Sequence, residues 1–131
     1  MAVAKLVSVP SASHVLQVSH VTYSNQAKSK FLGVLPKTLA DYGAVSEQVA
    51  GEMAAGVAEK NGAQVGVGIS GIAGPGGGSA EKPVGMVCFG FCIQGTVTTV
   101  TRCFGAFGRN RVREASVDFA YQKLNELLDS L

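Results

Sequence analysis

Two segments of the sequence carry residue types that could bind or transform a ligand, and one of them is rich in glycine. Residues 71–85 read GIAGPGGGSAEKPVG and follow a predicted strand at Gln64–Ser70. Backbone N–H groups in such a loop can face an anion. The loop has neither the GK[ST] ending of a Walker motif nor the G-x-G-x-x-G spacing of a dinucleotide fingerprint. Composition alone therefore leaves two interpretations open, a ligand-binding loop and a surface connector.

The second segment contains Lys28, which closely follows Tyr23, Ser24 and Asn25 at the end of a predicted strand. A lysine in that position can be desolvated and act as a base, as lysines do in serine–lysine hydrolases. The alternative is an ordinary solvated helix lysine, which is the interpretation we give to Lys30.

The histidines and cysteines predict no metal site. His14 and His20 would lie roughly 20 Å apart along a strand, which is too far to share one ion. Cys88 and Cys92 would lie roughly 13 Å apart in their own strand. We interpret the three cysteines as small core residues. Their odd number, with no scaffold spacing, suits a reducing compartment and predicts a cytoplasmic protein.

Short helices and strands must position these residues. Ser46 and either Ser24 or Asn25 are predicted helix N-caps, and Gln94-Gly95 is a tight-turn signal. Glycines alternate with valine and isoleucine at 64–70, which predicts a strand with one bare face that another element approaches closely. The pattern of apolar residues and turn signals predicts strands at 15–22, 64–70, 84–93 and 96–104, with helices at 2–9, 24–32, 36–43, 46–60 and 110–131. The strand at 84–93 is apolar on both faces, so it should be central and covered on both sides. We therefore predict one α/β domain over residues 1–131, a three-layer α/β/α arrangement with a mixed sheet.

Composition excludes several classes of protein. Hydrophobic residues make up 47% of the 131 residues, charged residues make up 15%, and the formal net charge is +2. This excludes a disordered chain and argues against nucleic acid as a partner. No apolar run is long enough for a membrane span, and the N-terminus does not resemble a signal peptide.

Several segments together resemble the C-terminal domain of the CinA family, the nicotinamide-nucleotide amidases. They occur in the family's order and spacing, and the loop motif with EKPVG is highly specific. The matching segments are VTYSNQAK at 21–28, LGVLPKTLADYGAVSEQVAGEMAAG at 32–56, SGIAGPGGGSAEKPVG at 70–85 and FGRNRVREASV at 107–117.

The resemblance implies an amidohydrolase that needs no cofactor and no metal. Family members deamidate nicotinamide mononucleotide to nicotinic acid mononucleotide and ammonia, using a serine nucleophile. By motif, Lys28 takes the place of the activating lysine, and Tyr23 and Ser70 take the places of two other catalytic-site residues. The positions that the resemblance implies for substrate binding are Ser24, Asn25, Gly71, Gly74, Gly76, Gly77, Arg109 and Arg111.

The sequence departs from the family at its start. The family opens with a strand and a turn of the form E-S-C-T-G-G, whose serine is the nucleophile, and this segment does not occur in the chain. We therefore expect a domain without the family's first strand and with little or no amidase activity of its own. The alternatives are catalysis with a partner supplying the serine, a catalytically inactive nucleotide-binding protein, and an interaction protein that keeps the fold. A sheet that lacks a strand exposes an edge, so we also expect a homo-oligomer.

Overall fold

The computed structural model describes residues 2–131, which form five α-helices, one 3-10 turn and three strands. The helices are α1 (Ala2–Val7), α2 (Asn25–Leu32), α3 (Pro36–Tyr42), α4 (Glu47–Lys60) and α5 (Arg109–Asp129), and the 3-10 turn is Ala12–His14. The strands are β1 (Val65–Gly71), β2 (Met86–Ile93) and β3 (Thr96–Cys103).

The sheet has the order β1-β2-β3, and both pairs of neighbours are antiparallel. The two-residue turn between β2 and β3 has positive φ at both Gln94 (51°) and Gly95 (84°). These angles match the right-handed twist of the strands, as the sequence predicted for this hairpin. The α/β class and the central position of β2 are confirmed. The prediction of a mixed sheet is wrong for residues 2–131, because the described strands contain no parallel pair.

The predicted strand at 15–22 is also wrong, since those residues form no regular strand. Val15 is 72% exposed and Val21 is 62% exposed. A strand is stabilised by hydrogen bonds to a neighbouring strand, and no backbone hydrogen bond joins these residues to the sheet in the part of the chain that the structure describes. Their β-branched composition favours a strand, but the described part of the chain provides no neighbouring strand for them to bond with.

One face of the sheet packs against α4, and glycines make the contact possible. A Cβ added at Gly66 would lie 2.1 Å from the Ala54 carbonyl oxygen, and one at Gly90 would lie 2.2 Å from that of Ala50. The helix backbone therefore lies almost directly on the strands. The bare face predicted for β1 is explained by this close approach of a helix.

The other face of the sheet packs against α5. Phe89 and Phe91 of β2 are fully buried there, together with Val112 and Ala120 of α5. Burying each phenylalanine contributes about 1.5–3 kcal/mol. The sheet is thus covered by a helix on each face, which gives the three layers. Within residues 2–131, no helix is both long enough and apolar enough to cross a membrane.

Candidate functional site

Lys28 lies in the first half of α2 and is buried, with only 7% of its surface exposed. Its Nζ donates a hydrogen bond to the Thr22 carbonyl oxygen at 2.8 Å. None of the ion pairs formed by residues 2–131 includes Lys28. Burial lowers the pKa of Lys28 below its ordinary value, because the charged form loses hydration without gaining a counter-charge. A lysine in this environment is suited to accept a proton.

The residues just before Lys28 begin the helix. The Ser24 Oγ caps α2 by accepting a hydrogen bond from the Ala27 backbone N–H at 3.0 Å, as the sequence predicted. Asn25 is the first residue of the helix and is exposed. Tyr23 is 85% exposed. The side chains of Tyr23 and Asn25 are therefore open to a ligand, while Ser24 also has a structural role.

Ser70 lies near the end of β1, where its Oγ donates a hydrogen bond to the Ala44 carbonyl oxygen at 2.7 Å. Lys82, in the glycine loop, donates a hydrogen bond from its Nζ to the Tyr42 carbonyl oxygen. Both bonds tie the end of β1 and the glycine loop to the connection between α3 and α4. Sequence reasoning missed Lys82, although it lies in the EKPVG part of the highly specific loop motif.

The four predicted glycines of the loop have different surroundings. A Cβ at Gly71 would lie 2.8 Å from Val87 Cγ2, and one at Gly74 would lie 2.6 Å from Val84 Cγ1. Gly74 and Gly77 have positive φ, at 82° and 91°. A Cβ added at Gly76 would have no neighbouring atom within 4 Å. A Cβ at Gly71 or Gly74 would thus overlap a neighbouring valine, whereas one at Gly76 would have open space around it.

Arg109 begins α5 and reaches the glycine loop, where its Nη1 donates a hydrogen bond to the Gly74 carbonyl oxygen at 3.3 Å. Arg111 is exposed one half-turn later. A backbone hydrogen bond of 2.8 Å from Phe104 N to Gly85 O holds the connection before α5 beside the loop. The Arg109 guanidinium group therefore lies against the glycine loop, which is rich in backbone N–H groups.

These contacts join one pair of predicted residues from different segments, Arg109 and Gly74, and they tie Lys28 and Ser70 to residues that were not predicted. Arg109 meets the glycine loop at Gly74, whereas Lys28 contacts Thr22 and Ser70 contacts Ala44. The motif positions and the strand-end location of both segments predict one cleft between residues 23–28 and residues 70–78, and that cleft stays a prediction.

Sequence reasoning did not single out two glutamates of α4 whose carboxylates accept hydrogen bonds from neighbouring elements. The Glu47 carboxylate accepts hydrogen bonds from Thr101 Oγ1 at 2.6 Å and from Thr99 Oγ1 at 2.7 Å. These bonds lower its pKa below the ordinary value, that from Thr101 most. Glu52 accepts hydrogen bonds from Leu35 N at 2.8 Å and Thr38 Oγ1 at 2.7 Å. A glutamate in a first helical turn beside a threonine-rich strand was the available signal for Glu47.

Two open depressions lie along α4, with volumes of about 390 and 540 Å³. Both are lined by Glu52 and Ala55, and neither is lined by a predicted site residue. Among the side chains that the structure describes, no group of three or more His, Cys, Asp or Glu could hold a metal ion. The chemistry available at the predicted site is that of a buried lysine, hydroxyl groups, backbone N–H groups and arginines.

Fold and site together define a three-layer α/β domain with a desolvated lysine and an arginine-flanked glycine loop. Comparison with known proteins identifies the family. The family model of the CinA C-terminal domain matches residues 1–128, and the chain belongs to this family. The resemblance noted from the motifs is therefore confirmed.

Relatives with assigned names agree with the family. The chain is 44% identical over 120 residues to a putative competence-damage inducible protein of Alkaliphilus oremlandii, covering 92% of this chain and 29% of that protein. It is 55% identical over 94 residues to a CinA-like protein of Desulforapulum autotrophicum, covering 72% of this chain and 22% of that one. The chain thus spans less than a third of the length of these relatives.

Solved structures confirm the fold. The competence/damage inducible protein CihA from Agrobacterium tumefaciens superposes with a TM-score of 0.93 at 41% identity, covering 96% of this chain and 77% of that one. A CinA superfamily protein from Klebsiella pneumoniae superposes with a TM-score of 0.94 at 33% identity, covering 99% and 81%.

Proposed function

We propose that this domain takes part in the hydrolytic deamidation of a nicotinamide mononucleotide-like nucleotide, with Lys28 as the general base. The observation that carries the proposal is the environment of Lys28. Its amine is buried, it donates to the neutral Thr22 carbonyl, and it has no carboxylate partner among residues 2–131. Burial lowers its pKa and so favours the neutral amine that a base requires.

In the proposed reaction the neutral Lys28 amine accepts the proton of a serine hydroxyl as its oxygen attacks the amide carbon. The proton is then delivered to the departing nitrogen, which leaves as ammonia. Water hydrolyses the resulting ester and releases the acid and the serine. Backbone N–H groups near Gly76 and Gly77 provide donors for an anionic group, and Arg109 and Arg111 supply positive charge for the nucleotide phosphate.

The nucleophilic serine is the part of this proposal that residues 1–131 do not supply by motif, since E-S-C-T-G-G does not occur in them. We propose that the serine comes from a segment outside these residues. The 131-residue chain then binds the nucleotide but releases little or no ammonia. Loss of a serine nucleophile lowers the rate by roughly 10⁶ in the best-studied hydrolase.

The test compares Lys28→Met with Lys30→Met. Both lysines lie in α2, but Lys30 is exposed and serves as the matched control. Ammonia release from nicotinamide mononucleotide is measured for the chain extended by a strand-and-turn segment carrying E-S-C-T-G-G. Lys28→Met should abolish release, and Lys30→Met should keep it. In the parent, the rate should rise with pH as Lys28 loses its proton.

Retention of ammonia release by folded Lys28→Met would refute the assignment of the base. Release by the unextended chain would refute the need for an outside serine, and Ser24→Ala would then be the first variant to test. Binding is measured separately as nucleotide-dependent protection against thermal unfolding of the 131-residue chain.

A further inference from the structure

Phe107 is the most exposed phenylalanine of the described residues, with 72% of its surface in solvent. Each of the other five phenylalanines packs against a second aromatic ring or a cationic side chain. Those five are Phe31, Phe89, Phe91, Phe104 and Phe119. Within residues 2–131, Phe107 takes part in no such contact. Single exposed apolar side chains are common on protein surfaces, so the position of Phe107 must decide whether it has a role.

The connection that carries Phe107 is held against the glycine loop at both of its ends. Near its start, a Cβ added at Gly85 would lie 2.3 Å from the Gly105 carbonyl oxygen, so the two backbones are in direct contact. At its end, the Arg109 guanidinium donates its hydrogen bond to the Gly74 carbonyl oxygen. The exposed ring therefore lies on a segment that stays beside the glycine loop.

Two glycines determine how this connection holds the ring. Gly105 and Gly108 have φ angles of 81° and 108°, which residues with a side chain rarely adopt. The Phe107 ring lies over Gly105, since a Cβ added there would come within 2.6 Å of Phe107 Cε2. Part of the ring thus rests on backbone, while most of its surface is left open to a ligand.

The groups near Phe107 limit what that ligand could be. Arg109 and Arg111 are exposed cations within four residues of it, and the glycine loop supplies backbone N–H donors. The Cα atoms of Phe107 and Arg109 lie at most about 7 Å apart, because only two residues of chain separate them. A matching ligand has an aromatic ring and an anionic group joined by a short spacer. A mononucleotide has this composition, since one ribose joins its base to its phosphate.

We propose that Phe107 recognises the base of the nucleotide by stacking on its positively charged pyridine ring, while Arg109 and Arg111 bind the phosphate. This inference rests on the proposed function, and it adds the residue that distinguishes a nucleotide from a bare sugar phosphate. The face of a phenylalanine ring carries partial negative charge and attracts a cationic ring. The two arginines repel such a ring, so Phe107 supplies a favourable contact that they cannot.

The first test uses fluorescence, because the 131-residue chain contains no tryptophan. Phe107→Trp places a single indole at the proposed contact, and a pyridinium ring stacked on indole quenches its fluorescence. Nicotinamide mononucleotide should quench this variant saturably, over the concentration range in which it protects the chain against thermal unfolding. The matched control is Leu131→Trp, at a C-terminal position that is 74% exposed. It should show only the non-saturating quenching that random collisions cause.

The second test removes the ring and measures affinity by titration calorimetry. Phe107→Ala should raise the Kd for nicotinamide mononucleotide by about tenfold, which lies within the range of a cation–π contact. Its Kd for ribose 5-phosphate should stay unchanged, because that ligand has the phosphate but no base. Phe107→Tyr keeps the ring face and should bind both ligands as the parent does. The side chain is exposed, so we expect these variants to fold.

Equal affinity of the parent and Phe107→Ala for nicotinamide mononucleotide would overturn the proposal. Thermal protection of Phe107→Trp without saturable quenching would also overturn it, because the nucleotide would then bind away from residue 107. An equal loss of affinity for both ligands would mean that Phe107 acts on phosphate binding and not on the base, and would count against the proposal in the same way. A parent chain that binds no nucleotide would refute the proposed function as well, so the two failures are distinguishable.

Discussion

The contact between β1 and α4 predicts a large destabilisation from one added methyl group, in Gly68→Ala. The new Cβ would lie 2.4 Å from Ala50 O, 2.8 Å from Met53 Cβ and 3.0 Å from Ala54 N. Carbon atoms in favourable contact lie about 3.5–4.0 Å from their neighbours, so the methyl group comes roughly 1 Å too close. Two of these atoms belong to the helix backbone, so no side-chain rotation relieves the overlap.

The expected loss follows from the cost of overpacking. Inserting a methylene into a packed interior costs about 1–3 kcal/mol, and alanine recovers about 0.4–1 kcal/mol by restricting the unfolded chain. Because the contact is with backbone, we take the upper part of the range and expect a net loss of about 2 kcal/mol in the free energy of unfolding. For a domain of this length that lowers Tm by about 8 °C.

Urea unfolding followed by circular dichroism measures this loss, and Gly76→Ala is the control. Gly76 has no neighbour within 4 Å of an added Cβ, so its substitution should change the free energy of unfolding by less than about 0.5 kcal/mol, or raise it slightly. Equal stability of Gly68→Ala and Gly76→Ala would refute the argument, because it would mean that α4 does not lie directly on β1.

Two further predictions concern Glu47, which sequence reasoning did not single out, and the three cysteines, which it interpreted as core residues. Glu47→Gln should lower the free energy of unfolding by about 1 kcal/mol at neutral pH, since the carboxylate accepts bonds from Thr101 and Thr99. The folded-state pKa of Glu47 lies below its ordinary value of 4.5. The difference in unfolding free energy between Glu47→Gln and wild type should therefore disappear as the pH falls from 4.5 through that lowered pKa. A difference in unfolding free energy that persists in acid would contradict this. The prediction that all three cysteines are core residues is wrong for Cys103, which lies at the end of the edge strand β3 and is exposed. Cys103 should therefore react with a thiol reagent in the native protein. Cys88 and Cys92 should react only when the protein unfolds, because both are buried, and burial also raises the pKa of the Cys88 thiol. Mass spectrometry measures the reaction at each cysteine. Equal rates for Cys88 and Cys103 would show that Cys88 is not buried between the sheet and its neighbours.

Local signals predicted the helices well because their causes are local. Ser24 and Ser46 were recognised as caps, and each side-chain oxygen accepts a backbone N–H three residues on. Gly33 ends α2 in the left-handed conformation, and Pro36 begins α3. These outcomes depend on a few neighbouring residues, so a single sequence contains the information. The β2–β3 hairpin was predictable for the same reason, since Gln94-Gly95 determines the turn.

The environment of the candidate site residues depends on contacts between residues that are distant in sequence. The sequence alone therefore predicted only part of which side chains are buried and what they bond to. Nothing in the residues around Lys28 separates it from Lys30, yet the first is buried and the second is exposed. The difference arises from the face of α2 that packs against α4, which is a tertiary property. Only the motif resemblance selected Lys28 in advance. Lys82 and Glu47 were missed because their partners, Tyr42 and the threonines of β3, lie 40 or more residues away.

The wrong strand at 15–22 and the persistence of β1 have one physical cause. Strand formation is a property of a pair, because half of the backbone groups of each strand must bond to a neighbour. Residues 15–22 have the composition of a strand, but within residues 2–131 no neighbouring strand bonds to them, and they form no regular strand. Strand β1 has one neighbour and persists, because β2 and α4 hold it on one edge and one face.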